Sequence, residues 1–321
     1  MPGGAPSTGR ALHIDKPLSN IVVGRRPEGF IADQLVPITP VSKQSDTYYK
    51  FNHGEGRRYE AGITARAPGT EAKKVHMTVS SDTYYAKNYA LGTDMTVEDV
   101  VNADEVLQWS ESNAVFLADR MMIDYEMRIA ALAVNTSNVH TVTSINTAWS
   151  NTTGSRPLDD MLTQKENFRQ YTGMLPNIAI VPEQVMTYLR RNDQLRDIIY
   201  GDRGGMVGED QLATLLGVGK VLVPTVQVNT FGETETINGS WSLGNAWGNH
   251  FWFANVKTLA GRNVDTWMNA FRWTSPLLGQ PMAVQRHPFD TKKKIFEIEV
   301  GYYQDEKVVS NDLALRVQSV I

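Results

Sequence analysis

The sequence contains no cysteine. That excludes disulfides, thiolate metal sites and cysteine nucleophiles together, and it fits a protein built in a reducing cytoplasm. No apolar run approaches the roughly 18 residues that a membrane span needs. The first residues, MPGGAPSTGRALHIDKP, carry no apolar core of the kind a secretory signal requires. The sequons at Asn135, Asn151 and Asn238 therefore read as ordinary loop positions. Histidine is scarce and scattered, at 13, 53, 76, 140, 250 and 287, and no two of these sit at metal-ligand spacing on a helix. His250, beside Phe251 and Trp252, is the most site-like of the six and reads more simply as a structural histidine.

Other catalytic signatures fail on inspection. Gly217-Val218-Gly219-Lys220 has the outline of a phosphate loop, but Thr214 stands where the first glycine belongs and Val221 where a magnesium-binding hydroxyl belongs. Gly201-Asp202-Arg203-Gly204-Gly205 reads as a surface loop rather than a phosphate nest. There is no G-x-S-x-G elbow, and Asp159-Asp160 is the acidic first turn of a helix. A net charge of −4 and a pI near 5.9 argue against a basic nucleic-acid binder. No enzyme activity, cofactor or metal is indicated.

What is present is a chain of 321 residues, 41% hydrophobic and 21% charged, long enough for a substantial core. The first forty or so residues read as an arm with short apolar patches, held extended near Pro37 and Pro40 and in need of a partner surface to order it. Residues 44–91 read as a long two-stranded excursion. The pentapeptide Ser-Asp-Thr-Tyr-Tyr occurs at Ser45 to Tyr49 and again at Ser81 to Tyr85. Antiparallel pairing with the copies opposite each other places the fold-back near Thr64, among turn-forming residues that include Gly62, Pro68 and Gly69. Such a hairpin cannot be stable alone.

A long helix is predicted over 104–134. Its apolar face is Ala114, Ala118, Met121, Tyr125, Ile129 and Leu132, with Asp119, Arg120, Asp124, Glu126 and Arg128 on other faces. Ser110, Ser112 and Asn113 are candidate interruptions. A second helix runs from Pro157 to Gly173. An α/β rhythm follows: a strand at Asn177 to Val181, a helix from Pro182 to about Tyr200, a helix from Asp210 to Leu216 and a strand at Val221 to Val223. The remainder is β-rich, with segments at Thr225 to Asn229, Phe251 to Phe253 and Phe271 to Trp273. A last strand pair is predicted at Lys294 to Tyr303 and Lys307 to Val317.

This order of elements resembles the major capsid proteins of tailed bacteriophages, whose fold is shared by encapsulin nanocompartments. The carriers are GFIADQLVPITPVSKQSDTYYKF, the RAPG turn, NIAIVPEQVMTYLRRNDQL, LLGVGKVLVPTVQVN and the terminal EVGYYQDEKVVSNDLALRVQSVI. The resemblance implies an α+β phage-capsid fold with an N-terminal arm (1–43), an extended hairpin or E-loop (44–93), and a spine helix with part of a peripheral P-domain (94–176). An axial A-domain (177–270) and P-domain strands with the C-terminal segment (271–321) complete it. It further implies pentamers and hexamers of one chain tiling an icosahedral phage head around double-stranded DNA, in a virion assembled in the bacterial cytoplasm.

Within that resemblance, Arg57, Arg58, Arg66, Lys73 and Lys74 are candidates for contacts between subunits. Arg10, Lys16, Arg25 and Arg26 are candidates for contacts of the arm with scaffold or packaged DNA. Some relatives begin with a long helical scaffolding segment; here the arm is short, so a separate scaffolding protein is expected, with a portal and in some systems a decoration protein as further partners, and no membrane. Two alternatives stand beside it: an encapsulin-type compartment shell, and, from another class, a cytosolic α/β enzyme, which a concave pocket with convergent polar groups would favour.

Overall fold

A computed structural model of the chain describes residues 13–24, 28–51, 59–62, 64–76, 79–102, 109–142, 145–201, 204–229, 243–257, 266–274, 283–287 and 289–321. Two mixed sheets and a projecting ribbon are organised around one long helix. The elements of the first half are β1 (His13–Ile14), α1 (Lys16–Gly24), α2 (Ala32–Leu35), β2 (Ile38–Val41), β3 (Ser45–Phe51), β4 (Val79–Tyr85), β5 (Lys87–Thr96), α3 (Val97–Asn102), α4 (Trp109–Val134) and β6 (His140–Val142). Then come α5 (Pro157–Thr172), β7 (Ile178–Ile180), α6 (Glu183–Leu189), α7 (Asp193–Tyr200), α8 (Glu209–Leu216), β8 (Lys220–Leu222), β9 (Gln227–Asn229), β10 (Leu243–Asn245) and β11 (Phe251–Ala254). The last are β12 (Met268–Trp273), β13 (Ala283–Arg286), β14 (Ile295–Val308) and β15 (Ala314–Val317).

The first sheet is built on β14. Strand β5 pairs with it from Ile295 to Gln304 along one edge; β13 and then β12 pair with the other, and β1 and β2 extend the sheet outwards. Alternate residues Ile298, Val300, Tyr302 and Gln304 are buried, as a strand with one face on a core requires. That face meets Ala114, Leu117, Ala118 and Met121 of α4 and Leu18 and Val22 of α1. The second sheet has the order β6-β15-β11-β7-β8 and is covered on both faces. Phe251 and Phe253 of β11 point into the core beneath α5 to α8, while Trp252 and Ala254 point into the core shared with the second half of α4. Continuous burial over Phe251–Ala254 follows from that double cover, so the strand reads as a run rather than an alternation.

The 26-residue helix α4 links the two sheets. At about 1.5 Å per residue it spans roughly 39 Å. Ser110, Ser112 and Asn113 lie inside it and do not interrupt it. The predicted apolar positions Ala114, Ala118, Met121, Tyr125 and Ile129 are buried, and Leu132 packs against the core half-buried.

Four expectations need correction. Residues 31–41 do not wait for a partner: Ile31, Ala32, Leu35 and Val36 are buried in the chain's own core, and β2 pairs in parallel with β12. The helix from Pro182 breaks into α6 and α7, because Asn192 takes an extended backbone and its side chain accepts from Leu195 N at 3.4 Å as a new N-cap. The final residues form no strand pair. β14 runs straight through the expected turn, which holds no glycine or proline, and the chain turns at Ser310–Leu313 before β15 enters the other sheet. Glu126, read as lying off the apolar face of α4, is fully buried.

Candidate functional site

Among the described residues no group of three or more His, Asp and Glu side chains could hold a metal ion. No described helix is long and apolar enough to cross a membrane. His250 is structural: its Nδ1 accepts from Ser319 N at 3.0 Å and its ring packs edge-on against Trp252. Partial burial, aided by the charge of Arg316, holds its pKa below the ordinary histidine value. Gly217 of the phosphate-loop look-alike is the left-handed cap of α8, with φ 57°. The features that invite a functional reading are a projecting ribbon and the joints that fix it.

The ribbon is β3 paired with β4. Its register places Ser45 opposite Tyr85, Thr47 opposite Thr83 and Tyr49 opposite Ser81, so the two Ser-Asp-Thr-Tyr-Tyr copies face each other about the Thr47–Thr83 pair. Antiparallel pairing of a repeat with itself gives each face the same composition from both strands. The lower face carries Tyr48 and Tyr84, whose rings lie 4.9 Å and 4.6 Å from that of Phe271. Asp82 there accepts from Lys50 Nζ at 2.8 Å and from Tyr48 Oη at 3.3 Å. The bond from Lys50 is the main reason the Asp82 carboxyl sits below its ordinary range. The upper face exposes Tyr49 and Tyr85, each more than half accessible.

Beyond the ribbon, every described residue from Tyr59 to His76 is exposed. Gly62 and Gly69 adopt positive φ, at 77° and 83°, with the Ala65 N–H donating to Gly62 O and the Thr70 N–H to Ala67 O. Tyr59 and Val75 are nearly bare to solvent. Among the expected contact residues, Arg66, Lys73 and Lys74 lie exposed on this excursion, and Lys73 Nζ is 3.6 Å from Glu60 Oε1. Arg57 and Arg58 lie outside the described residues, as do Arg10, Arg25 and Arg26; Lys16 opens α1. The described candidates do not converge on a pocket.

The ribbon's base is fixed to the first sheet. Phe271 and its cross-strand partner Asp305 both hold it: the ring stacks beneath the tyrosines and the Asp305 carboxylate accepts from Tyr85 N at 2.8 Å. One residue on, Glu306 accepts from Arg128 Nη2 at 2.9 Å, and the same nitrogen donates to Tyr302 Oη at 3.0 Å. Arg128 also bonds Asp124 and stacks on Tyr89 with 3.8 Å from guanidinium to ring centroid. Burial opposes the Arg128 charge, but the bonds to Glu306 and Tyr302 outweigh it and raise its pKa. Burial likewise pushes the Tyr302 hydroxyl up to about 12.

Two further joints were invisible in the sequence. Glu126 accepts from Ala32 N at 2.8 Å, Ile31 N at 3.2 Å and Trp247 Nε1 at 2.7 Å, tying the N-terminal segment, α4 and the loop before β11 together. Burial raises its pKa above the ordinary 4.5 against the pull of these donors. At the end of α4, three side chains satisfy the last carbonyls: Asn138 Nδ2 donates to Leu132 O at 3.1 Å, Trp252 Nε1 to Ala133 O at 3.2 Å, and Arg316 to Val134 O. The only hint was the width of the apolar arc. With Leu117, Ala130 and Ala133 added, it extends around α4 far enough to enclose Glu126.

No protein-family model matches the chain. Over 269 residues it is 24% identical to the major capsid protein of Pseudomonas phage JBD67, covering 83% of this chain and 85% of the relative. Among solved structures, a phage-related protein from Bordetella bronchiseptica aligns with a TM-score of 0.74 at 20% identity, over 97% of this chain and 98% of that one. A chain of the capsid of cyanophage P-SCSP1u aligns with a TM-score of 0.60 at 12% identity, over 98% and 94%. The α+β phage-capsid fold read from the order of elements is therefore the fold of this chain.

Proposed function

We propose that this chain, which has the fold of phage capsid proteins, is the major capsid protein of a tailed bacteriophage, a shell subunit that assembles as pentamers and hexamers around double-stranded DNA. The observation that carries the reading is the ribbon. Seven residue pairs and an exposed excursion project from a body that holds them at Phe271 and Asp305. A two-stranded ribbon of this length is marginal by itself, and one with bare tyrosines and a bare valine is built to lie on something outside the subunit.

In this reading residues 1–43 are the arm, although 31–41 are packed on their own subunit. Residues 44–93 are the E-loop, of which 44–86 reach over a neighbour while 87–93 pair with β14 in the subunit's own sheet, with Arg57, Arg58, Arg66, Lys73 and Lys74 contributing contacts. Residues 94–176 hold the spine helix and part of the P-domain, 177–270 form the A-domain that closes the capsomer centre, and 271–321 supply P-domain strands. Arg10, Lys16, Arg25 and Arg26 face scaffold or packaged DNA. The mechanism is mechanical rather than catalytic: interfaces of about 1,600 Å² or more repeat around every subunit and share the load of the packed genome.

The test is expression with and without the neighbouring genes, followed by negative-stain electron microscopy. Closed icosahedral shells that require a co-expressed scaffold support the phage reading. Shells formed by the chain alone around a protein cargo would move it to the encapsulins, and a stable monomer under every condition would end the shell reading.

A further inference from the structure

The turn between β13 and β14 concentrates positive charge. Lys292, Lys293 and Lys294 are consecutive and all exposed, in a chain whose net charge is −4. Among the described residues none of the three has an ion-pair partner. The turn is tightly built: Asp290 Oδ1 accepts from Lys292 N at 2.8 Å and from Lys293 N at 3.1 Å, and Lys294 N donates to Asp290 O at 2.7 Å. Lys294 has φ 55°, the left-handed region where glycine or asparagine would sit with less strain. Three adjacent cations repel one another, and one stands where its backbone is disfavoured, so subunit stability alone does not account for this choice of residues.

The complementary charge lies on the same end of the same sheet. Glu297 of β14 is directly opposite Asp94 of β5, and both are exposed. Like charges directly across an antiparallel pair destabilise it, and among the described residues neither carboxylate has a cation partner. The neighbouring Glu299 differs, since His287 Nε2 lies 3.0 Å from it. On the opposite face of the strand from Glu297, Phe289 and Phe296 make a tilted ring contact at 4.9 Å, each about 40% exposed.

We propose that the lysine tip Lys292–Lys294 of one subunit docks on the Asp94–Glu297 strand face of a second copy of this chain. The proposal rests on the shell-subunit reading and adds which surfaces of neighbouring copies meet. Within one subunit, among the described residues, the two groups form no ion pair with each other. Between copies they are complementary and unlike, a head-to-tail pairing that closes rings instead of stopping at dimers. The lysines compensate the Asp94–Glu297 repulsion, and the carboxylates compensate the tip. Because these groups are exposed, their attraction falls as the screening length drops below about 8 Å above physiological salt.

The test is charge reversal in the full chain, co-expressed with its neighbouring genes. Lys292→Glu with Lys293→Glu is expected to lower the yield of closed shells at least tenfold, as is Asp94→Lys with Glu297→Lys. The four substitutions together are expected to restore the yield to within about twofold of wild type. Thermal melting of unassembled subunits checks that each variant is folded. Where a reversed subunit does not melt cooperatively, the neutral pairs Lys292→Gln/Lys293→Gln and Asp94→Asn/Glu297→Gln take its place, with shell yield falling several-fold and more steeply as salt is added. Wild-type yield from either reversed pair overturns the proposal and leaves the shell reading intact. So does a folded quadruple variant that does not assemble. Normal shells that lose their DNA when the lysines are reversed would also overturn it, assigning the tip to phosphate. Absence of shells from the wild-type chain would instead remove the reading on which the proposal rests.

Discussion

Removing the Glu126 carboxylate tests whether the joint between the N-terminal segment and α4 holds the subunit together. Glu126→Ala leaves three buried N–H groups, those of Ile31, Ala32 and Trp247, without an acceptor. A buried donor left unpaired costs about 1–3 kcal/mol, and part of this returns when water enters the new cavity. Relief from burying a carboxylate with no cation partner returns more. The net expectation is a loss of about 3–5 kcal/mol for Glu126→Ala and about 1–2 kcal/mol for Glu126→Gln, whose oxygen keeps part of the acceptor set. The assay is urea unfolding of unassembled subunits, with hydrogen exchange at Ile31 and Ala32 reporting local opening. The pH dependence follows from the raised pKa. The folded protein holds a proton on Glu126 more readily than the unfolded chain, whose value is near 4.5, so the cost of the buried charge is fully present above the folded pKa and disappears as pH falls through it towards 4.5. Wild type therefore gains stability relative to Glu126→Gln as pH falls through that window. A Glu126→Ala subunit within about 0.5 kcal/mol of wild type, the range of ordinary surface changes, would refute the reasoning.

Phe271→Ala removes the ring beneath Tyr48 and Tyr84 and is expected to cost about 3–5 kcal/mol of local packing; limited proteolysis should cut the 44–91 excursion faster while the β11 amides keep their protection. Gly29→Ala places a Cβ 1.8 Å from Thr225 Oγ1 at φ 85°, so a loss of roughly 2 kcal/mol or more is expected in thermal melting. Arg316→Met leaves Val134 O without its side-chain donor and should lower stability by about 1–3 kcal/mol, with exchange rising first at the amides that end α4.

The parts of the fold that were legible in the sequence were those whose signal is local. The repeated pentapeptide fixed the ribbon's register because two identical strands can pair antiparallel about their own midpoint. Proline and glycine marked both ends of α5. What stayed hidden depends on partners distant in sequence. Glu126 meets amides 94 and 95 positions away, and only the apolar residues at i+3, i+4 and i+7 (Ile129, Ala130, Ala133) set it apart from the exposed Asp124. Arg316 looks like any strand arginine until the end of α4 is brought beside it, 182 positions earlier. The apparent turn within β14 misled for the opposite reason: Gln304, Asp305 and Glu306 are polar, as a turn would be, but each is used by a neighbour. Of the candidate contacts, the sequence marked the basic residues of the excursion and passed over Lys292–Lys294, because a lysine run without its strand register is only a charged segment.

Those same three residues of β14 explain why the ribbon can transmit load without being part of the core. Asp305 receives the ribbon through Tyr85 N, and its cross-strand partner Phe271 receives it through two tyrosine rings. Glu306 passes the connection to α4 through Arg128, while Gln304, fully buried, accepts both Nε and Nη2 of Arg272 at 2.8 Å and 2.6 Å and donates to Glu306 at 2.8 Å. A force on the ribbon therefore reaches α4 through side chains of three consecutive residues on one strand. The strand itself is paired on both edges at Gln304, by β5 and β12, so the force meets backbone ladders on either side. In the proposed shell-subunit role, a contact made on the ribbon is coupled to β14 and α4 through this joint.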